Sequence, residues 1–130
     1  MREKSVILLV EDDDDMRATC RQILEEAGYF VMDVPSPKEA EPLLLRETFD
    51  LVITDLKMPH GGGMDVLKTA RSVSAAMPVI LITAFPSVHS AIDSFKNGVL
   101  DYLIKPFTNE EFIQAVGRVL EAQWAGDRAK

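Results

Sequence analysis

Asp50-Leu51-Val52-Ile53-Thr54-Asp55-Leu56-Lys57-Met58-Pro59 is the stretch that decides the fold. Leu51 to Thr54 has no polar/apolar alternation, the pattern of a strand covered on both faces. Asp55 stands where that strand emerges into a loop. Other segments end in the same way: Glu11-Asp12 follow Val6 to Val10, Thr83 ends Val79-Ile80-Leu81-Ile82, and Lys105 ends Tyr102-Leu103-Ile104. In an open parallel α/β sheet all strands present their carboxyl ends at one edge, where ligands bind. That edge would gather carboxylates, a hydroxyl and an ammonium, a set suited to a divalent cation and a phosphoryl group.

Amphipathic stretches alternate with the apolar runs, which argues for βα units and a parallel sheet. The expected strands are Val6–Val10, Tyr29–Val34, Leu51–Thr54, Val79–Thr83 and Tyr102–Lys105. The first helix is expected from about Asp14 to Ala27, with Met16, Cys20, Ile23, Leu24 and Ala27 at helical spacing. Asp13 or Asp14 is its N-cap and Gly28 its stop. Ser36-Pro37-Lys38-Glu39 reads as N-cap, first-turn proline and capping-box Glu of a helix reaching about Glu47. A third helix runs from Met64 to about Ala76, after Gly61-Gly62-Gly63. In the fourth, Ser87 to Lys96, the spacing places Val88, Ala91, Ile92 and Phe95 inward. Thr108-Asn109-Glu110-Glu111 is a second capping box, opening a helix that closes at about Trp124. The domain is therefore read as residues 1–124, with 125–130 a polar tail or the start of a linker.

Composition bounds the function. The 130 residues suit one domain, and 47% hydrophobic content supports one core. A net charge of −7 lacks the basic footprint of direct nucleic-acid binding. No stretch is long and apolar enough to span a membrane. Met1-Arg2-Glu3-Lys4 leads into a strand without a cleavage site, so no signal peptide is read. Cys20 is the single cysteine, which excludes an intrachain disulfide and suits a cytoplasmic location. Its place on the apolar stripe makes it a buried small hydrophobe. His60 and His89 have no evident partner, so metal binding by either is not expected.

Glu11, Asp12 and Asp55 would crowd negative charge into a small volume, which calls for compensation. Lys105 and a divalent cation restore balance. Hard oxygen ligands without nearby His or Cys point to Mg²⁺ rather than Zn²⁺. Mg²⁺ takes few carboxylates, which leaves an Asp55 oxygen free to attack phosphorus. Phosphoryl transfer then needs chiefly positioning and positive charge, with hydrogen bonds from Thr83 and nearby N–H groups. Each member taken alone has a plainer explanation. The Glu11–Asp15 run fits a solvated acidic loop, Thr83 a strand-end hydroxyl, and Lys105 a surface lysine with a snorkelling stem. Convergence on one edge favours the chemical reading.

Val10-Glu11-Asp12-Asp13, Thr54-Asp55-Leu56-Lys57-Met58-Pro59, Ile82-Thr83-Ala84 and Ile104-Lys105-Pro106-Phe107, with the runs before them, resemble the receiver domain of a two-component response regulator. The resemblance covers nearly the whole chain. It implies a doubly wound, flavodoxin-like three-layer α/β sandwich with strand order 2-1-3-4-5. It makes Asp55 the phosphoacceptor, supplied by a sensor histidine kinase or a phosphotransfer protein. Asp12 and Asp55 become Mg²⁺ ligands, Glu11 an acidic neighbour reaching the ion, and the Lys57 carbonyl a further ligand. Thr83 is the switch hydroxyl, Tyr102 the switch aromatic, Lys105 the phosphate-contacting lysine, and Lys105–Pro106 a cis bond. The chain is thus expected to be primarily a signalling switch, with Mg²⁺-dependent self-phosphorylation and slow autodephosphorylation. Its output face, and the face of a homodimer, is the fourth helix, fifth strand and fifth helix. Ala91 to Gly98 followed by Asp101-Tyr102-Leu103 looks most like receivers of sigma-54-type transcriptional activators. Where receivers usually carry a Met-Asp or similar pair, this chain has His60-Gly61-Gly62-Gly63-Met64, which predicts a flexible loop. Pro86 limits the loop after Thr83.

Two other classes compete. A haloacid-dehalogenase-type phosphatase also uses Mg²⁺ and an aspartyl nucleophile. Asp12-Asp13-Asp14 has its Asp-x-Asp spacing, but the pattern that should follow is missing. A flavodoxin-type flavin binder needs a phosphate cradle after the first strand. The acids Glu11 to Asp15 would repel that phosphate.

Overall fold

A computed structural model describes residues 4–59 and 61–129, with side chains through residue 122. The elements follow in the order β1 (Val6–Val10), α1 (Asp14–Glu26), β2 (Phe30–Val34), α2 (Pro37–Arg46), β3 (Leu51–Asp55), β4 (Lys57–Met58), β5 (Gly61–Gly62), α3 (Gly63–Val73), β6 (Val79–Thr83), α4 (Val88–Lys96), β7 (Asp101–Ile104) and α5 (Asn109–Ala129). The main sheet is parallel in the order β2-β1-β3-β6-β7, which is 2-1-3-4-5 among its five strands. Register is tight across the middle: Ile7 pairs with Leu51, Asp55 with Ile82 and Thr83 with Ile104.

The unbroken apolar runs have a direct explanation in the two cores. Leu8, Val10, Val52 and Leu81 pack with Ala40, Leu44, Val66 and Ala70 of α2 and α3. Ile7, Leu9, Ile53, Ile80 and Ile82 point to the other face, against Cys20 and Leu24 of α1 and Phe112 and Val116 of α5. Successive side chains of a strand face opposite sides, so a sheet covered twice needs apolar residues at every position.

The caps behave as their residue types require. The Asp13 carboxylate accepts from the Met16 N–H at 2.8 Å, and Ser36 Oγ accepts from the Glu39 N–H at 3.3 Å. Thr108 and Glu111 form the reciprocal box, at 3.0 and 2.9 Å. Gly28 ends α1 with φ +100°, a conformation that favours glycine. The Lys105–Pro106 bond is cis.

Four expectations need correction. Val88, Ile92 and Phe95 do not face the core; they are 77%, 51% and 50% exposed, while Ser94 is fully buried. The apolar stripe of α4 is real but turned to solvent, and the side chain that α4 buries is the small Ser94, whose hydroxyl donates to the Ser90 carbonyl at 2.6 Å. Ala27 is likewise exposed at the end of α1. The glycines 61–63 form a packed turn. Gly61–Gly62 pair with Lys57–Met58 as an antiparallel ribbon, and the Gly63 N–H donates to the Leu56 carbonyl at 2.9 Å. A Cβ on Gly63 would lie 2.6 Å from the Asp55 carbonyl oxygen, so close approach explains this glycine. Finally, α3 stops at Val73, before Ala76, and α5 continues to Ala129, past Trp124. The Trp124 side chain and His60 lie outside the described residues.

Candidate functional site

The carboxyl ends of β1, β3, β6 and β7 bring the predicted residues to one edge. Glu11 extends β1 by one step, its N–H donating to the Val34 carbonyl of β2 at 3.1 Å. Its side chain is fully buried. One carboxylate oxygen accepts from Lys105 Nζ at 2.6 Å and the other from the Asp13 N–H at 3.1 Å. Asp12 is exposed at the mouth. Asp55, 5% exposed, ends β3. Its Oδ2 accepts from Lys105 Nζ at 2.6 Å and its Oδ1 from the Lys57 N–H at 3.3 Å. Lys105 is aimed inward because its N–H donates to the Thr83 carbonyl at 2.8 Å, continuing the pairing of β7 with β6.

Burial and charge compete at this centre. Loss of water pushes Glu11 up to about 7 from an ordinary 4.5, against the hydrogen bonds from Lys105 and the Asp13 N–H. The same burial disfavours the Lys105 ammonium. Its hydrogen bonds to Asp55 and Glu11 outweigh that, and its pKa ends above the ordinary lysine value. The two shifts agree physically: one ammonium is shared by two carboxylates and satisfies neither fully. Glu11, Asp12 and Asp55 each offer a ligand oxygen within 4.8 Å of the others. This all-oxygen set, negative beyond what Lys105 offsets, fits a hard divalent cation.

Thr83 is fully buried, and its Oγ1 accepts from the Phe85 N–H at 3.0 Å. Tyr102 is half-buried, its hydroxyl 2.8 Å from Ser90 Oγ on α4. Ser90 in turn bonds Ser87, the N-cap of α4. Tyr102 is thus linked to the start of α4 by side-chain hydrogen bonds, while Thr83 is tied to the loop that precedes it. The far end of α4 is held differently. Arg71 of α3 donates to the carbonyls of Met77, Asn97 and Gly98 at 2.6, 3.1 and 2.8 Å.

Cys20 is buried, with its thiol pushed up to about 11 by loss of water, as a packing residue should be. Sequence reasoning missed several participants. The Lys57 ammonium lies 5.4 Å from the centre of the Phe85 ring, joining two loops at the mouth. Neither residue signals this alone, since the two follow different strands of the main sheet, β3 and β6. Arg17 reaches back to the Glu11 carbonyl at 2.9 Å and to Asp14 at 2.7 Å. The Asp14/Arg17 spacing of three on a helix was the available signal.

Residues 7–117 match the response regulator receiver domain. The chain belongs to that family. It is 38% identical over 117 residues to the alginate biosynthesis transcriptional regulatory protein AlgB of Pseudomonas aeruginosa, covering 90% of this chain and 26% of that one. It is 37% identical over 120 residues to the response regulator protein FleR of the same organism, covering 92% and 25%. The chain therefore spans about a quarter of the length of these relatives. Among solved structures, a CheY-like receiver domain protein from Methanospirillum hungatei superposes with a TM-score of 0.91 at 27% identity, over 95% of this chain and 99% of that one. The non-phosphorylated HemR receiver domain from Leptospira biflexa gives 0.85 at 33%, over 90% and 94%.

Proposed function

We propose that this receiver takes a phosphoryl group onto Asp55 from a phosphohistidine of a sensor kinase or phosphotransfer protein. The observation that carries the reading is Lys105 Nζ, 2.6 Å from both Glu11 and Asp55, with Asp12 exposed beside them. An Asp55 carboxylate oxygen attacks phosphorus, the P–N bond breaks and the histidine nitrogen leaves. Asp12, Asp55, Glu11 and the Lys57 carbonyl would hold Mg²⁺. When bound, that ion supplies positive charge toward the phosphoryl oxygens. Lys105 then turns part of its charge from Asp55 to the new phosphoryl oxygens, and Thr83 donates its hydroxyl. Water later hydrolyses the acyl phosphate slowly, so the group serves as a timed signal.

The switch follows from the same contacts. Thr83 moves toward the phosphoryl group and vacates space that Tyr102 fills by turning inward. That turn removes the Tyr102 hydroxyl from Ser90 and frees the first turn of α4, while Arg71 keeps its last turn in place. The output face is α4, β7 and α5, docking a partner or a second copy. We read the domain as residues 1–124, its location as cytoplasmic and its output as transcriptional control, in keeping with the names of the relatives. Among the described residues no helix is long and apolar enough to cross a membrane.

Incubation with Mg²⁺ and acetyl phosphate tests the chemistry by mass spectrometry. The chain is expected to gain one phosphoryl mass, and Asp55→Asn to gain none. Labelling that persists in Asp55→Asn at a site other than Thr83 would overturn the assignment. Sustained turnover of small phosphate esters would favour the phosphatase reading.

A further inference from the structure

We infer that Arg17 is a positioning residue for the cation pocket, holding the peptide unit between Glu11 and Asp12 so that both carboxylates converge. This rests on the reading of that pocket as a divalent-cation site. The Arg17 side chain is 17% exposed, and its guanidinium has three different acceptors. It donates to the Glu11 backbone carbonyl at 2.9 Å, to Asp14 at 2.7 Å and to Asp33 of β2 at 3.1 Å. Asp33 is itself fixed from the far side by Arg21.

The Glu11 carbonyl belongs to the peptide plane that joins Glu11 to Asp12. The N–H on the other side of Glu11 is already held by the Val34 carbonyl. With Arg17 on the carbonyl, the main chain at the end of β1 is fixed on both sides. A rotation of that plane would redirect Glu11 and Asp12 together, because each is attached at one end of it. Without such a restraint, Glu11 to Asp15 would be expected to spread apart by like-charge repulsion. Arg17 is the only cation within residues 11–20. Its planar fork can serve three acceptors at fixed angles, which a lysine cannot do.

Simple electrostatics predicts the opposite outcome from positioning. Deleting a cation beside an acidic pocket should tighten binding of a divalent cation. If Arg17 acts by geometry, deleting it should weaken binding, and a lysine that keeps the charge should not restore it. Arg21 provides the control, because it shares Asp33 but touches neither Glu11 nor Asp14.

The test is calorimetric titration of the metal-free full chain with MgCl₂, for wild type, Arg17→Lys, Arg17→Ala and Arg21→Ala. Arg17→Lys is expected to bind roughly tenfold more weakly or worse, the scale typical of groups that orient ligands. Arg21→Ala should bind like the wild type. Amide hydrogen exchange of the metal-free proteins gives a second readout: Asp12 and Asp13 should exchange faster in Arg17→Lys and unchanged in Arg21→Ala. Should Arg17→Ala fail to fold, Arg17→Lys carries both measurements. Unchanged or tighter Mg²⁺ binding in Arg17→Lys overturns the positioning role alone. A wild-type chain that does not bind Mg²⁺ overturns the cation reading, and this inference with it.

Discussion

Glu11 shows what one buried carboxylate does to this molecule. It is fully buried and raised to about 7 from 4.5 because the folded chain removes its water. A carboxyl whose pKa is raised by folding gives its full contribution below the unfolded value, where both states hold the proton. That contribution is lost as pH rises through the folded value, since the unfolded chain releases the proton first. The window is therefore about pH 4.5 to 7. A tenfold change in proton affinity corresponds to about 1.4 kcal/mol, so the effect is large on the scale of domain stability. Lys105 is also raised, but its contribution is intact below its ordinary value of 10.5 and does not act in this window. Without Mg²⁺, Glu11→Gln should melt higher than wild type at pH 7 and fall less between pH 5 and 7. Glutamine keeps an acceptor for Lys105 without the charge. Thermal melts in EDTA across that range check this, and parallel curves for the two proteins would refute it.

At the scale of elements, glycines separate tight packing from loose sequence. A Cβ on Gly63 would lie 2.6 Å from the Asp55 carbonyl oxygen and 2.9 Å from Leu81 Cδ2. The main-chain oxygen cannot move without shifting the strand end that carries Asp55. Gly63→Ala should therefore destabilise by roughly 1–3 kcal/mol, the usual range for overpacking. Gly117, inside α5, has nothing within 4 Å of the same added atom. Gly117→Ala should stabilise by about 0.5–1 kcal/mol through lower unfolded-state entropy. Urea denaturation of both variants checks the pair, and equal effects would show that neither close approach nor helix interior governs them. These elements also mark what is legible in the sequence. The four strand ends and the residues they bring together can be read from it, because β1, β3 and β6 are buried on both faces as unbroken apolar runs and each of the four strands leads into a chemically distinct residue. The glycine turn cannot, because glycine signals freedom, while the neighbour that requires it, the Asp55 carbonyl, is adjacent only in space. The stripe of α4 is legible as a period and not as a direction. Periodicity reports that apolar residues share a face, not which side of the helix the sheet lies on.

That outward stripe matters for the whole molecule. Val88, Ile92 and Phe95 of α4 are at least half exposed, and so are Leu100 and Ile104, before and at the end of β7. Scattered apolar residues on a surface mean little, but a run of them on adjacent elements marks an interaction face. This face lies on the same elements as Tyr102, whose ring centre is 6.4 Å from that of Phe95. A ligand shifts a conformational equilibrium only by binding the two states differently. On the proposed function, phosphorylation would do so through Thr83 and Lys105, and Tyr102 would carry the difference to Phe95 and Ser90. Beryllofluoride with Mg²⁺, mimicking the phosphoryl group, is therefore expected to raise the mass measured by light scattering toward that of a dimer. Ile92→Glu should remain monomeric under the same conditions, since a carboxylate buried without a partner in an apolar interface is strongly disfavoured. The same variant should still gain one phosphoryl mass at Asp55, because Ile92 is half exposed on α4 and is not one of the residues at the four strand ends. Dimerisation that survives Ile92→Glu would place the self-association face elsewhere. Loss of phosphorylation in Ile92→Glu would show that the substitution disturbs the pocket itself.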